Sequence, residues 1–394
     1  MQFLITRRFA MTLKGLPFLL CVGVLAACTN IGGSSGGGQV QTKGEASQEK
    51  ANLITAWRND PRKLGLKPLK PPQTHIPVTD TSKYKKDPPY RIAFASQGPT
   101  NSWARLYDAS LRYAASHALK DQVSDILYTD ANGDASKQVN DIQDLVAQQP
   151  DALIVTPLGA AVKAPIERAA AQGIPVVLCT GKVATKDYVT RVDRDNILNG
   201  TLMAEWIAKQ IGHQGSIIAL SGIAGVPTAE DRYAAAKKVF AKYPKIDVLT
   251  HQYTNWSPTE SKQIMESLLA KYPHLDAIWS DSGINDVGVI QAYREAGKKI
   301  PAMSGEPLNG FLRLAKQNKV PFMAVGYPPY HSARCLQAAV QTLEGKPQPR
   351  FINVDAAVFT DRQVDQYYQP NCSDDMWVPS QLPAARIREM NLCH

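Results

Sequence analysis

Long apolar runs are almost absent from this chain of 394 residues. The one near its start, Leu16 to Val24, is shorter than the roughly 20 apolar residues a membrane-spanning helix needs. Histidine is scarce too: its seven copies are scattered, with no pair at the spacing of metal ligands on a helix, so neither a metal nor another cofactor is expected. No nucleophile elbow, phosphate loop or paired-carboxylate motif occurs, and with them go the usual sequence signatures of an enzyme. Cys179 lacks a histidine placed to lower its pKa, so it reads as a small buried residue rather than a nucleophile. Acidic residues are missing from residues 1–28, which hold three basic ones, and residues 29–90 hold ten basic against five acidic. The formal net charge of +9 therefore sits ahead of the folded part, and residues 91–394 are nearly neutral. That distribution argues against a nucleic-acid partner.

What is present at the start is an address. Arg7, Arg8 and Lys14 precede the apolar run, which ends in Leu25-Ala26-Ala27-Cys28. A basic head, a short apolar core and small residues at a cleavage site make a signal peptide over 1–28. The last four residues resemble a lipobox, in which Cys28 is acylated and anchors the mature chain to a membrane in the periplasm or cell envelope. Residues 29–87 follow as a flexible tether. It holds the Gly/Ser run 32–38 and then seven prolines among scattered charges within 61–90. Export to an oxidising compartment allows disulfides. Cys372 and Cys393 flank a short C-terminal segment and are the favoured pair; separate buried thiols are the alternative.

From Tyr90 short apolar runs alternate with amphipathic stretches. The runs are Ile92–Ala95, Ile126–Tyr128, Ala152–Val155 and Ile174–Leu178, then Ile217–Leu220, Val248–Leu249, Ala277–Trp279, Ile300–Met303 and Phe322–Val325. Helical spacing occupies Ser102–His117, Ala135–Gln148 and Val162–Ala171, and later helices begin near Ala229, Thr259, Ile284 and Leu308. Repeated strand–helix units predict an α/β fold of two doubly wound parallel sheets, with a ligand cleft at the strands' carboxyl ends.

The ordered pieces resemble the type I periplasmic binding proteins for ribose, galactose and related sugars. They are Asn132-Gly133-Asp134, the stretch Lys137–Ile142, Leu145–Ile154, Ala171–Val177, and Arg194-Asp195-Asn196 with Gly200. Asn101-Ser102-Trp103 matches the start of the first helix in one branch. The resemblance implies three hinge crossings and two domains, 88–194 plus 327–349 and 195–326 plus 350–394. The segment 367–383 then caps the second domain near the hinge. It also implies a monomer that takes up a small molecule of sugar or polyol class by hinge closure and delivers it to the membrane permease of an ABC importer. A sensory receptor signalling to a histidine kinase or chemoreceptor is the alternative.

Sugar recognition needs flat apolar faces for ring C–H groups and fixed hydrogen-bond groups for hydroxyls. By resemblance Trp103 and Trp256 are the stacking aromatics, Arg232 the ligand arginine, and Glu306 the acceptor where the family usually has aspartate. Asp281 and Ser282 align near a family asparagine, with Asp281 alternatively a helix cap, and Thr100 and Thr180 complete the polar set. Two departures stand out. Leu178-Cys179-Thr180-Gly181-Lys182 replaces an Asp-Arg pair, leaving Lys182 to face either the ligand or solvent. Tyr327 replaces a common polar amide, which makes the expected pocket less polar and more aromatic than a pentose site.

Overall fold

The computed structural model describes residues 76–380 and 382–394. The signal peptide, Cys28 and the tether as far as residue 75 lie outside the described residues. The first sheet contains β2 (Tyr90–Ser96), β3 (Val123–Asp130), β4 (Ala152–Val155), β5 (Val176–Cys179) and β6 (Thr190–Asp193). The second contains β7 (Gly215–Ser221), β8 (Ile246–Tyr253), β9 (Ala277–Ser280), β10 (Ala302–Gly305) and β11 (Phe322–Val325). β13 (Phe351–Asn353) joins the first sheet and β14 (Val358–Thr360) the second, giving the orders β13-β6-β5-β4-β2-β3 and β14-β11-β10-β9-β7-β8. All pairings are parallel except β14 on β11. This is the expected architecture. β4, β5, β9, β10 and β11 are buried at every residue, which is why they read as plain apolar runs.

Helices cover both sheets, and several carry a side-chain cap that fixes where they begin. Asn101 accepts from Ala104 N, Asp195 from Leu198 N, Ser257 from Glu260 N and Ser282 from Ile284 N. Ser282, not Asp281, thus caps Gly283–Glu295. Gly200, in helix Asn196–Gln210, lies so close to Arg232 that an added Cβ would sit 2.1 Å from the Arg232 carbonyl oxygen. Only glycine lets that helix pack this tightly on Pro227–Phe240, the helix that bears Arg232.

The chain passes between sheets at Arg194-Asp195, at Gly326–Tyr330 and at Val354–Ala357. These crossings are tied together by Val354 N to Asp193 O at 2.9 Å, Asp195 N to Asn353 Oδ1 at 2.9 Å and Gly326 N to Ala357 O at 2.8 Å. The third crossing falls after Asn353 rather than between 349 and 350, because β13 pairs with β6 of the first sheet. The end of the expected tether is also corrected. β1 (Val78–Thr79) pairs antiparallel with β12 (Gln348–Pro349), Thr81 is buried, and Lys86 N donates to Leu343 O at 2.8 Å, so residues 77–87 belong to the first lobe.

Two disulfides occur among the described residues. Cys372–Cys393 closes the C-terminal segment. Cys179–Cys335 joins the end of β5 to helix His331–Leu343. Cys179 is buried as expected, but it is a bonded half-cystine rather than a free thiol.

Candidate functional site

The carboxyl ends of both sheets face one cavity, about 460 Å³ of atom-free space counting its mouth. From the first lobe it is lined by Gln97, Asn101, Trp103 and Thr180; from the second by Val226, Thr228, Arg232, Trp256, Ser282, Ile284 and Glu306, with Tyr327 from the hinge and Trp377 from the C-terminal segment. Seven of the nine sequence-assigned ligand residues therefore meet at one place. The other two do not reach it. Thr100 is exposed on the loop before helix Ser102–Ser116, because the backbone turn puts Asn101 and Gln97 on the cavity side instead. Asp281 is buried behind the wall, where its carboxylate accepts from Trp256 Nε1 at 3.2 Å, Gly222 N at 3.2 Å and Asn285 Nδ2 at 3.1 Å. It orients the tryptophan rather than lining the cavity. Lys182 lies outside the cavity too, half exposed and paired with Asp231 at 2.5 Å.

Each aromatic is held by its own contacts. Trp103 stacks on Tyr107 with centroids 4.7 Å apart, and its indole nitrogen donates to the Tyr327 carbonyl at 2.7 Å. Tyr327 packs against Trp103 at 5.5 Å and donates its hydroxyl to Asp193 at 2.7 Å. Trp256 has a left-handed backbone (φ 48°), as does Asn255 (φ 54°). Such a conformation is costly for a bulky residue and persists where surrounding contacts impose it. The Trp256 ring here lies flat against Gly222, where an added Cβ would come within 1.8 Å of it.

Charge is concentrated on one side. Arg232 is almost wholly buried, donates through Nε to Asn196 Oδ1 at 2.9 Å and through Nη1 to the Asp281 carbonyl at 2.8 Å, and lies 4.5 Å above the Tyr327 ring. Its Nη2 stands 2.9 Å from Glu306 Oε1, yet neither atom has a hydrogen-bond partner of good geometry. Burial pushes the Glu306 carboxyl up to about 7, against the opposing pull of Arg232. Burial likewise raises Asp281, and raises Asp286 behind it still further. Glu306 and Asp281 thus share the Arg232 guanidinium, while Asp286 faces those two carboxyls.

A model of the periplasmic binding protein domain matches residues 92–347. The chain belongs to that family, in its type I sugar-binding branch. Relatives of this binding protein include a ribose import binding protein of Bacillus subtilis, 26% identical over 64% of this chain and 83% of its own length. A xylitol-binding protein of Mycolicibacterium smegmatis is 29% identical over 47% of this chain and 52% of its own length. Among solved structures, the fructose-binding periplasmic domain of a hybrid two-component system superimposes with a TM-score of 0.64 at 25% identity, over 70% of this chain and 92% of that one.

Gln97, Thr228 and Ile284 escaped the sequence reading because they flank recognised motifs without belonging to them, whereas Asn101 was read as the start of the Asn-Ser-Trp motif but not as a cavity residue. Trp377 escaped it for a different reason: it lies beyond the matched segment, and nothing local in the sequence points it at the cleft.

Proposed function

We propose that this chain is the solute-binding component of an ABC importer, capturing a sugar-like or polyol molecule between its lobes. The observation that carries the reading is the buried Arg232–Glu306 pair at the cavity wall, 2.9 Å apart, whose Nη2 and Oε1 face each other and bond to no third group. A charged donor and acceptor side by side suit vicinal hydroxyls, and hydrogen bonds from ionised groups are stronger than neutral ones. Trp103 and Trp256 offer apolar faces for ring C–H groups. The names of the relatives, ribose and xylitol, fit the same class of ligand. Binding draws the lobes together, and the closed form is what a permease recognises. The protein works as a periplasmic monomer held to a membrane through acylated Cys28. A sensory role is the second reading, favoured by the likeness to a fructose-binding domain of a two-component system.

A thermal-shift screen of the purified protein, stripped of ligand by unfolding and refolding, tests this against ribose, xylitol, fructose and related polyols. A ligand at 100 times its dissociation constant adds about 2.7 kcal/mol, a shift of several degrees. One stabilising class, lost in Arg232→Ala, supports the reading. A flat response across the panel overturns it. Capture of the liganded form by a permease rather than by a kinase separates transport from sensing.

A further inference from the structure

The C-terminal segment after β14 reaches the cleft from outside the matched family segment, and it is built to hold one side chain there. Asn309 is its hub on the second lobe: its Nδ2 donates to the carbonyls of Gln369, Cys372 and Ser373 at 2.9, 3.1 and 3.1 Å, and its Oδ1 accepts from Gln369 N at 2.9 Å. Backbone bonds from Asn309 N to Met376 O at 2.8 Å and from Val378 N to Pro307 O at 3.0 Å extend the attachment on both sides of Trp377. The Cys372–Cys393 bond closes the segment on itself.

Among the described residues, two polar side-chain contacts join this strap to the first lobe, both on the helix that begins at Ser102. The Trp377 indole nitrogen donates to Ser102 Oγ at 3.1 Å, and Arg105 pairs with Asp375 at 2.8 Å. Trp377 is 2% exposed and stands in the cavity wall with Trp103, the neighbour of Ser102. The Arg105–Asp375 pair is half exposed and contributes little. Of these two, the indole, buried and hydrogen-bonded across the lobes, is the stronger.

We propose that Trp377 is a specificity-determining ligand contact: the disulfide-closed strap delivers a further aromatic wall to the cleft, and the Ser102 hydrogen bond sets its orientation when the lobes close. The proposal rests on the cleft being a solute site. A cavity walled by indoles from the first lobe, the second lobe and the strap favours ligands with two or more apolar C–H faces, such as deoxy or cyclic polyols, over linear fully hydroxylated ones.

Isothermal titration of wild type, Trp377→Leu, Trp377→Phe and Ser102→Ala with D-ribose, D-fructose, xylitol and myo-inositol tests it, beside the melting temperature of each unliganded protein. Wild-type binding to any of these upholds the solute-site reading by itself. Trp377→Leu is then expected to weaken binding by about tenfold or more, the size typical of an aromatic hot spot, with Trp377→Phe recovering most of the loss. The order of preference among the four probes changes in Trp377→Leu and in Ser102→Ala. Wild-type affinity and order in Trp377→Leu overturn the proposal while leaving the solute site intact. If Trp377→Leu fails to fold, an unchanged order in Trp377→Phe and Ser102→Ala overturns it. No wild-type binding to any probe overturns both readings.

Discussion

In both sheets the first five strands follow one spatial order, yet the sixth, β13, runs parallel in the first and its counterpart β14 runs antiparallel in the second. The site chemistry differs more than the topology. The first lobe brings Gln97, Asn101, Trp103 and Thr180, all uncharged, whereas the second brings Arg232 and Glu306, with Asp281 and Asp286 behind them. Two halves of one architecture therefore divide the work of recognition: one offers a neutral aromatic bed, the other a buried charge network. The difference lies in what stands at the strand ends, because sheet topology fixes where a site forms and leaves its chemistry to a few residues.

The largest expected effect breaks the charged half. Arg232→Leu leaves Glu306 and Asp281 buried without their cation, and urea denaturation should show a loss of about 3–5 kcal/mol together with loss of ligand binding. If stability is unchanged, the carboxyls are already neutral and the contrast between lobes is weaker than the geometry implies.

Next comes the neutral half. Cys179–Cys335 spans 156 residues of sequence and brackets strands β7 to β11 of the second lobe as an insertion in the first. Replacing both cysteines by alanine should cost about 2–4 kcal/mol, read by urea denaturation. Hydrogen exchange should show the loss in β5 and helix His331–Leu343 before the second sheet.

The pH responses of Glu306 in the second lobe and His331 in the first have opposite signs. Glu306 is raised from 4.5 to about 7, so folding takes up its proton. Its contribution is fully present below 4.5 and is lost as pH rises through 7. His331, buried in the first lobe with its Nδ1 on the Pro328 carbonyl, is lowered from 6.5 to about 3 by burial. Its contribution is present above 6.5 and is lost as pH falls toward 3. Denaturation at several pH values should show Glu306→Gln removing the loss on the alkaline side and His331→Gln the loss on the acid side.

The smallest effect is at the rim. Lys182 and Asp231 join the lobes, but Lys182 is half exposed. Lys182→Ala should change stability and binding by under about 1 kcal/mol. A larger loss would put positive charge back on the first lobe's side of the ligand.

The fold was legible because strands buried on both faces show as apolar runs and their helices begin at capping residues such as Asn101 and Ser257. β6 was harder to read: in Thr190–Asp193 an arginine and an aspartate interrupt the apolar signal. Seven cavity residues were found through motifs adjoining strand ends. Thr100 was misplaced because a loop's backbone turn, not its sequence, decides which side chain faces inward. The Cys179–Cys335 bond and the Trp377–Ser102 contact join residues 156 and 275 positions apart, and no local pattern announces such a pairing.

The pairing of β1 with β12 carries a mechanical consequence. A tug on the chain upstream of residue 76 is borne by the first lobe, through Thr79 and Thr81, whose hydroxyls grip the carbonyls of Val189 and Lys346. The second lobe feels that tug through the three crossings, the strap and rim contacts such as Lys182–Asp231. However the molecule is moored, the first lobe behaves as the hull and the second as the hatch, free to swing without straining the line.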